Sequence, residues 1–265
     1  MNPQNTTPPV PAVATCPEAP ALNLRAEDVI LPALFYIAAA VLVSAVLRRL
    51  GLHVDPDVAT PPDPRDDALR QTWTVAAGNL AQVAGLAGCL LVASRRAAAG
   101  AAGWFLARMS LKRAAAFILG GFAVAMLTSY PAYWATQVLI HLAQPDYKVE
   151  SHRVVELLRG GILPSVAVLT LWLGAVIVAP LCEEAFFRGI VQPALANWTS
   201  RGVAIAASAV IFGAAHPQLH AIPPLIVLGV VLGVLYERTR SVLIPAAVHA
   251  LFNLATMLAV ALGWT

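Results

Sequence analysis

Two adjacent acidic residues in an otherwise apolar stretch are the side chains of this sequence best suited to chemistry. Glu183 and Glu184 interrupt a hydrophobic run, where a charged group is energetically costly and usually faces a polar cavity at a functional site. Arg188 follows Glu184 by one helical turn, so these two side chains can pair, while Glu183 points about 100° away. This arrangement suits one reactive carboxylate beside one supporting carboxylate. The alternative is a cluster at the membrane edge, with all three charged groups reaching the polar interface.

Two histidines lie in similar apolar surroundings. His216 ends a segment rich in Gly and Ala, which allow helices to approach closely, and His249 lies one helical turn before Asn253 on the same predicted face. A lone histidine in such a helix more often makes a packing hydrogen bond. Two histidines, an amide and a glutamate pair on three separate helices instead predict a polar site. Imidazole and carboxylate groups bind divalent metals or hold a water molecule.

The elements that position these residues must be membrane helices. The chain has 265 residues, of which 59% are hydrophobic and 12% charged, and its mean hydropathy is +0.73. Soluble domains have about 25% charged residues, so this composition predicts an integral membrane protein and argues against the soluble-enzyme and disordered classes. The basic residues behind the net charge of +3 are scattered as short flanks of apolar runs, which is typical of membrane proteins and indicates no nucleic-acid partner.

The apolar pattern predicts the fold class. A membrane-spanning helix needs about 20 largely apolar residues, and the sequence contains about seven such segments. They lie at 29–47, 73–94, 115–141, 164–182, 202–216, 222–237 and 242–263. An eighth is expected if 95–113 or 185–200 enters the bilayer. The predicted fold is therefore an all-α polytopic transmembrane helix bundle.

The same pattern divides the chain into three parts. Residues 1–24 are polar and rich in proline, which predicts a disordered tail. Residues 25–160 hold accessory transmembrane segments and loops, among them a solvated linker at 51–72 that is rich in proline and aspartate. Residues 161–265 contain all of the candidate site residues and form the predicted catalytic core.

The depth of His216 in the membrane differs from that of the other candidate residues. The distribution of Lys and Arg favours a cytoplasmic amino terminus, and in this orientation Glu183 and His249 lie nearer the cytoplasmic side. His216 lies about 22 Å beyond Arg201 along a straight helix, which is deeper in the bilayer. Three explanations are open: Arg201 lies well outside the bilayer, the stretch 185–200 folds back, or the amino terminus is not cytoplasmic.

Three motifs occur in order in the carboxyl-terminal part of the chain. They are E-E-x-x-x-R from Glu183, F-x-x-x-H ending at His216, and H-x-x-x-N from His249. As an ordered set they resemble the CPBP group of intramembrane proteases, which includes the type II CAAX prenyl endopeptidases and the bacteriocin-processing and immunity (Abi) proteins. The resemblance covers residues 164–260, and the segments before residue 160 show no match.

This resemblance implies an intramembrane endopeptidase and a role for the polar residues. Glu183 would be the general base that activates the hydrolytic water, and His216 would help to hold that water. His249 and Asn253 would stabilise the oxyanion that forms at the scissile carbonyl.

The resemblance leaves the role of a metal open. The family is usually described as metalloproteases, although a metal-free mechanism that depends on glutamate has also been argued for it. A divalent metal, with zinc the expected ion, would be held by Glu183, His216 and His249, and the same three residues suit the metal-free mechanism. In either case Glu184 and Arg188 would support the site.

The expected partners are the lipid bilayer and a peptide or lipid-modified peptide substrate. Short loops and the proline-rich tail indicate a bacterial protein, so the expected location is the bacterial plasma membrane. Two other functions stay open at this point. A non-catalytic membrane chaperone or immunity factor would not need the intact polar residues. A proton-coupled transporter would need a path through the whole bilayer, for which internal repeats are typical, and the sequence contains no such repeat.

Overall fold

The chain folds into apolar helices of very different lengths. The computed structural model describes residues 24–52, 64–96, 109–146, 165–216 and 218–262. The secondary structure in these ranges is entirely helical, without a strand. The helices are α1 (Ala26–Arg49), α2 (Pro64–Arg96), α3 (Leu111–Ala143), α4 (165–196), α5 (Arg201–Ala214), α6 (Ile222–Thr239) and α7 (Leu243–Ala261). The prediction of an all-α helix bundle is confirmed.

Five of the helical segments are long and apolar enough to cross a membrane. They are α1, α2, α3, α4, and α6 together with the 3-10 turn Leu219–Ala221 that precedes it. The other two helices, α5 and α7, are apolar but shorter. The chain is therefore an integral multi-pass membrane protein, and the seven helices in the described ranges follow the order of the seven predicted segments.

Local sequence explains several of the helix boundaries. Ser110 and Ser200 precede α3 and α5, and each side chain accepts a hydrogen bond from a backbone N–H in the first turn of its helix. α6 ends at Arg240, whose φ of 51° lies in the left-handed region that stops a helix. α2 begins at Pro64, where a proline does not disturb the helix because the first turn has no intrahelical use for its N–H.

Two predicted boundaries are wrong. The fourth segment does not end at residue 182, because α4 continues to residue 196 and includes most of 185–200, which is therefore not a separate segment. The helix continues through its charged residues since Glu184 and Arg188 are paired inside the bundle. The linker predicted at 51–72 is also too long, because 64–72 is already helical. Residues 1–23 of the predicted tail and residues 97–108 lie outside the described residues.

α4 is the central helix of the bundle. It packs against α2, α5, α6 and α7, while α3 covers α6 and α7, and α1 packs chiefly on α2. Small residues allow these helices to approach closely. A Cβ atom added to Gly229 on α6 would lie 3.0 Å from the Cα of Ala209 on α5. α4 can therefore carry buried polar side chains that reach three neighbouring helices.

Candidate active site

Glu184 lies at the centre of a buried polar cluster. Its Oε2 forms an ion pair with Nε of Arg188 at 3.2 Å, which is the pairing predicted from their spacing. Its Oε1 accepts a hydrogen bond from Nδ1 of His249 at 3.2 Å. The side chains of Glu184 and Arg188 are fully buried, and that of His249 nearly so. Both carboxylate oxygens of Glu184 are thus held in place, one from α4 and the other from α7.

Arg188 is held from two further sides. One of its terminal nitrogens donates to the carbonyl oxygen of Gly229 on α6 at 3.0 Å. The guanidinium carbon lies 5.0 Å from the centre of the Phe212 ring on α5, within the range of a cation–π contact. The arginine therefore links α4 to α5 and α6 and fixes the position of Glu184.

Glu183 has very different surroundings from its neighbour. About a quarter of its side chain is exposed (26%), and its Oε2 lies 4.0 Å from Nε2 of His249. Because Nδ1 of His249 donates to a carboxylate, Nε2 of the neutral ring carries a lone pair on the side of Glu183. The 4.0 Å separation is longer than a direct hydrogen bond and short enough for one water molecule to contact both groups.

His216 lies just beyond the end of α5. Its Nδ1 donates to the carbonyl oxygen of Phe212 at 3.0 Å, which leaves a lone pair on Nε2. The Phe212 ring is in edge-to-face contact with both histidines, with ring centres 5.2 Å from His216 and 5.6 Å from His249. The same aromatic ring therefore orients both imidazoles.

The length of α5 agrees with the distance expected from the sequence. Its 14 residues extend about 21 Å, which is less than the ~30 Å thickness of the hydrocarbon core. α5 is therefore too short to cross that core alone, and His216 follows its last residue by two positions. Because α4 is continuous to residue 196, the stretch 185–196 does not fold back, and the explanations based on Arg201 and on the orientation stay open.

Asn253 contacts α4 about two helical turns before Glu183. Its Nδ2 donates to the carbonyl oxygen of Ala175 at 2.9 Å. This contact uses one of the two N–H groups of the amide. The predicted role of Asn253 at the oxyanion therefore concerns its second N–H.

The candidate metal ligands have suitable donor atoms but do not converge. Glu183 supplies a carboxylate, and the hydrogen bonds of His216 and His249 leave both Nε2 lone pairs available. Within the part of the chain that the structure describes, however, no three His, Cys, Asp or Glu side chains form a group that could hold a metal ion. The residues do not fit a three-ligand site in this arrangement, and the reaction steps below are derived from the side chains alone.

Two amides that contact the bundle interior, one fully buried and one partly buried, were not found from the sequence. Gln192 lies one turn after Arg188 and is fully buried, and its Nε2 donates to the carbonyl oxygen of Gly233 at 3.2 Å and to Glu237 at 3.1 Å. Asn79 on α2 donates to a carbonyl of α4. The signal for both was a polar amide inside an apolar run, which is weaker than a charge because burying an uncharged amide costs much less free energy than burying a charge.

Comparison with known proteins gave one match. Residues 165–255 match the family model described as type II CAAX prenyl endopeptidase Rce1-like. No curated protein and no solved structure matched the chain. The matched segment begins with α4 and includes all three motifs and the polar cluster built from them. Residues 165–255 are therefore similar to an Rce1-like domain, and this match supports the assignment to the CPBP family made from the motifs.

Proposed function

We propose that this chain is an intramembrane endopeptidase in which Glu183 activates the hydrolytic water. The observation that supports this most directly is the contrast between two neighbouring carboxylates. Glu184 is fully buried with a partner at each oxygen, whereas Glu183 is partly exposed and faces an imidazole nitrogen. The first carboxylate is fixed as a support, and the second keeps the access to water that a general base needs.

The proposed reaction consumes one water molecule for each peptide bond. Glu183 takes a proton from the water as the water oxygen attacks the scissile carbonyl carbon, and the carbonyl oxygen becomes an oxyanion. The C–N bond then breaks, and the proton passes from Glu183 to the leaving amine. His249 would donate to the oxyanion only after the lone pair on its Nε2 has taken up a proton from solvent, and the Glu184 carboxylate at Nδ1 would stabilise that imidazolium.

The family match supports a lipid-modified peptide as the proposed substrate class. A type II CAAX endopeptidase would act on a lipid-modified peptide at the membrane, and a location in the bacterial plasma membrane stays a prediction. We expect the detergent-purified chain to cleave an internally quenched prenylated CAAX peptide faster than the same peptide without its lipid. Equal rates would leave an endopeptidase without lipid selectivity. If neither peptide nor a panel of membrane-protein segments is cleaved, the proposed activity is wrong.

Metal content per purified chain tests the predicted zinc site directly and needs no substrate. If Glu183, His216 and His249 move together to bind zinc, the wild-type chain is expected to hold about one ion, as in a catalytic zinc site. A His216→Ala/His249→Ala variant is then expected to lose it. A wild-type chain that cleaves peptide after removal of all divalent metal would assign the hydrolysis to Glu183 without zinc.

The role of Asn253 is tested by its replacement with alanine. If the second N–H of the amide donates to the oxyanion, turnover is expected to fall by roughly 10²–10³-fold, the usual effect of losing one such donor. Steady-state kinetics on a cleaved peptide provide the measurement. A rise in KM with unchanged kcat would instead assign Asn253 to substrate binding.

A further inference from the structure

Pro180 lies three residues before Glu183 and changes the hydrogen bonding of α4. The helix has a π turn at Gly174–Val178, in which the N–H of Ala179 donates to Gly174, five residues back, instead of to Ala175. In the same π pattern the carbonyl of Ala175 would accept a hydrogen bond from the N–H of residue 180. Residue 180 is a proline and has no N–H. The Ala175 carbonyl therefore loses both of its possible backbone donors.

A side chain from α7 supplies the missing donor. Nδ2 of Asn253 lies 2.9 Å from the Ala175 carbonyl oxygen and donates to it. An unpaired carbonyl in the bundle interior is costly, so this bond stabilises the π turn and joins it to α7.

A second amide holds the same turn from the opposite neighbour. Asn79 on α2 donates from Nδ2 to the carbonyl oxygen of Thr170 at 3.2 Å, one turn before Gly174. Its amide group also lies directly on Gly174, where any added Cβ atom would overlap it. Gly174 is buried, and its missing side chain is what allows α2 to approach α4 here. The π turn is thus clamped between Asn79 and Asn253.

The π turn determines which way Glu183 faces. It contains one residue more than a regular α-helical turn, and one residue corresponds to a rotation of about 100° about the helix axis. Regularising this turn would therefore rotate the segment that carries Glu183 relative to the part of α4 held by α2. Arg188, bonded to Gly229, fixes the other end of that segment.

From these contacts we infer that Asn79 is a positioning residue for Glu183, acting with Asn253 through the π turn that Pro180 imposes on α4. The inference rests on the proposed function for its effect on hydrolysis. Asn79 lies on α2, outside the residues 165–255 matched by the family model. A positioning role for Asn79 therefore implies that the accessory helices take part in forming the active site.

The test measures the orientation of position 183 without using activity. Glu183→Cys is introduced into a chain whose three native cysteines are replaced by alanine, and its rate of reaction with a small water-soluble maleimide is recorded. Asn79→Leu removes the donor at similar size, and Gly174→Ala displaces the Asn79 amide. Both are expected to change the labelling rate several-fold. The control is Gln82→Leu on the same helix, one turn on, where Oε1 of Gln82 has no hydrogen-bond partner among the described residues.

Kinetics on the otherwise native chain separate positioning from a general loss of structure. Asn79→Leu is expected to lower kcat by roughly 10²-fold with little change in KM, because a misplacement of about 1 Å has an effect of this size. Unchanged labelling in both folded variants would overturn the inference even if the wild-type chain cleaves peptide, and so would unchanged kcat. Altered labelling in a chain that cleaves nothing would support the orienting role and refute the proposed function.

Discussion

Replacing Glu183 with glutamine is expected to lower peptide hydrolysis by roughly 10²–10⁴-fold, the contribution of a general base. The amide keeps the size of the side chain but cannot accept a proton from water. Since Glu183 is partly exposed and forms no short ion pair, the variant is expected to insert and fold normally. Rates on a cleaved peptide, at matched protein concentration and with thermal unfolding as the check on folding, provide the measurement.

A matched control for this variant is available on α1. Glu27→Gln also removes one carboxylate from a membrane helix, and the side chain of Glu27 is 67% exposed, far along the chain from the polar cluster. It is expected to retain the wild-type rate. Full activity in Glu183→Gln would remove Glu183 from the reaction and with it the proposed mechanism.

Replacing Arg188 with leucine is expected to produce the largest loss of stability. The change leaves the fully buried Glu184 carboxylate without its cationic partner, and breaking a buried pair from one side typically costs about 3–5 kcal/mol. The bond to Gly229 on α6 is lost as well. The free energy of unfolding, measured by denaturant titration in mixed micelles, tests this expectation. Hydrolysis is expected to fall with it, because Glu184 also holds His249.

Two companion variants separate the buried pair from general effects of charge. Arg201→Leu removes a guanidinium that is 74% exposed and 4.0 Å from Glu237, and it is expected to change stability by less than about 1 kcal/mol. Glu184→Leu/Arg188→Leu removes both charges and is expected to be more stable than Arg188→Leu alone. If the single and double variants are equally destabilised, the loss comes from packing and not from the uncompensated carboxylate.

The apolar pattern was sufficient to predict the helix bundle but not the course of α4. Hydropathy falls at Glu183, Glu184 and Arg188, so a window scan ends the segment there. In the fold Glu184 and Arg188 neutralise each other and are fully buried between helices, and the helix continues for another eight residues after Arg188. A hydropathy scale scores each charged residue separately, whereas the free-energy cost of burying charges in a membrane is smaller when opposite charges pair.

The site was predictable where residues act within one helical turn and not where they act across helices. The spacing of Glu184 and Arg188 predicts their ion pair directly. The contact of His249 with Glu184 joins residues 65 positions apart, and that of Asn79 with Thr170 joins residues 91 apart. Only the packing of α2 and α7 on α4 brings these groups together. Pro180 was visible in the sequence, but its effect depends on the donors that neighbouring helices supply.

The end of α5 shows how an apolar helix too short to cross a bilayer can close its own last turn. Lipid cannot pair the last carbonyl groups of a helix, yet here the chain closes its own end. The backbone N–H of His216 donates to Gly213 and its ring donates to Phe212. His216 therefore caps the end of a short apolar helix as well as facing the site. A His216→Ala variant leaves the Phe212 carbonyl without this donor, whereas asparagine offers an N–H in its place, so only comparison of the two separates lost chemistry from a frayed helix end.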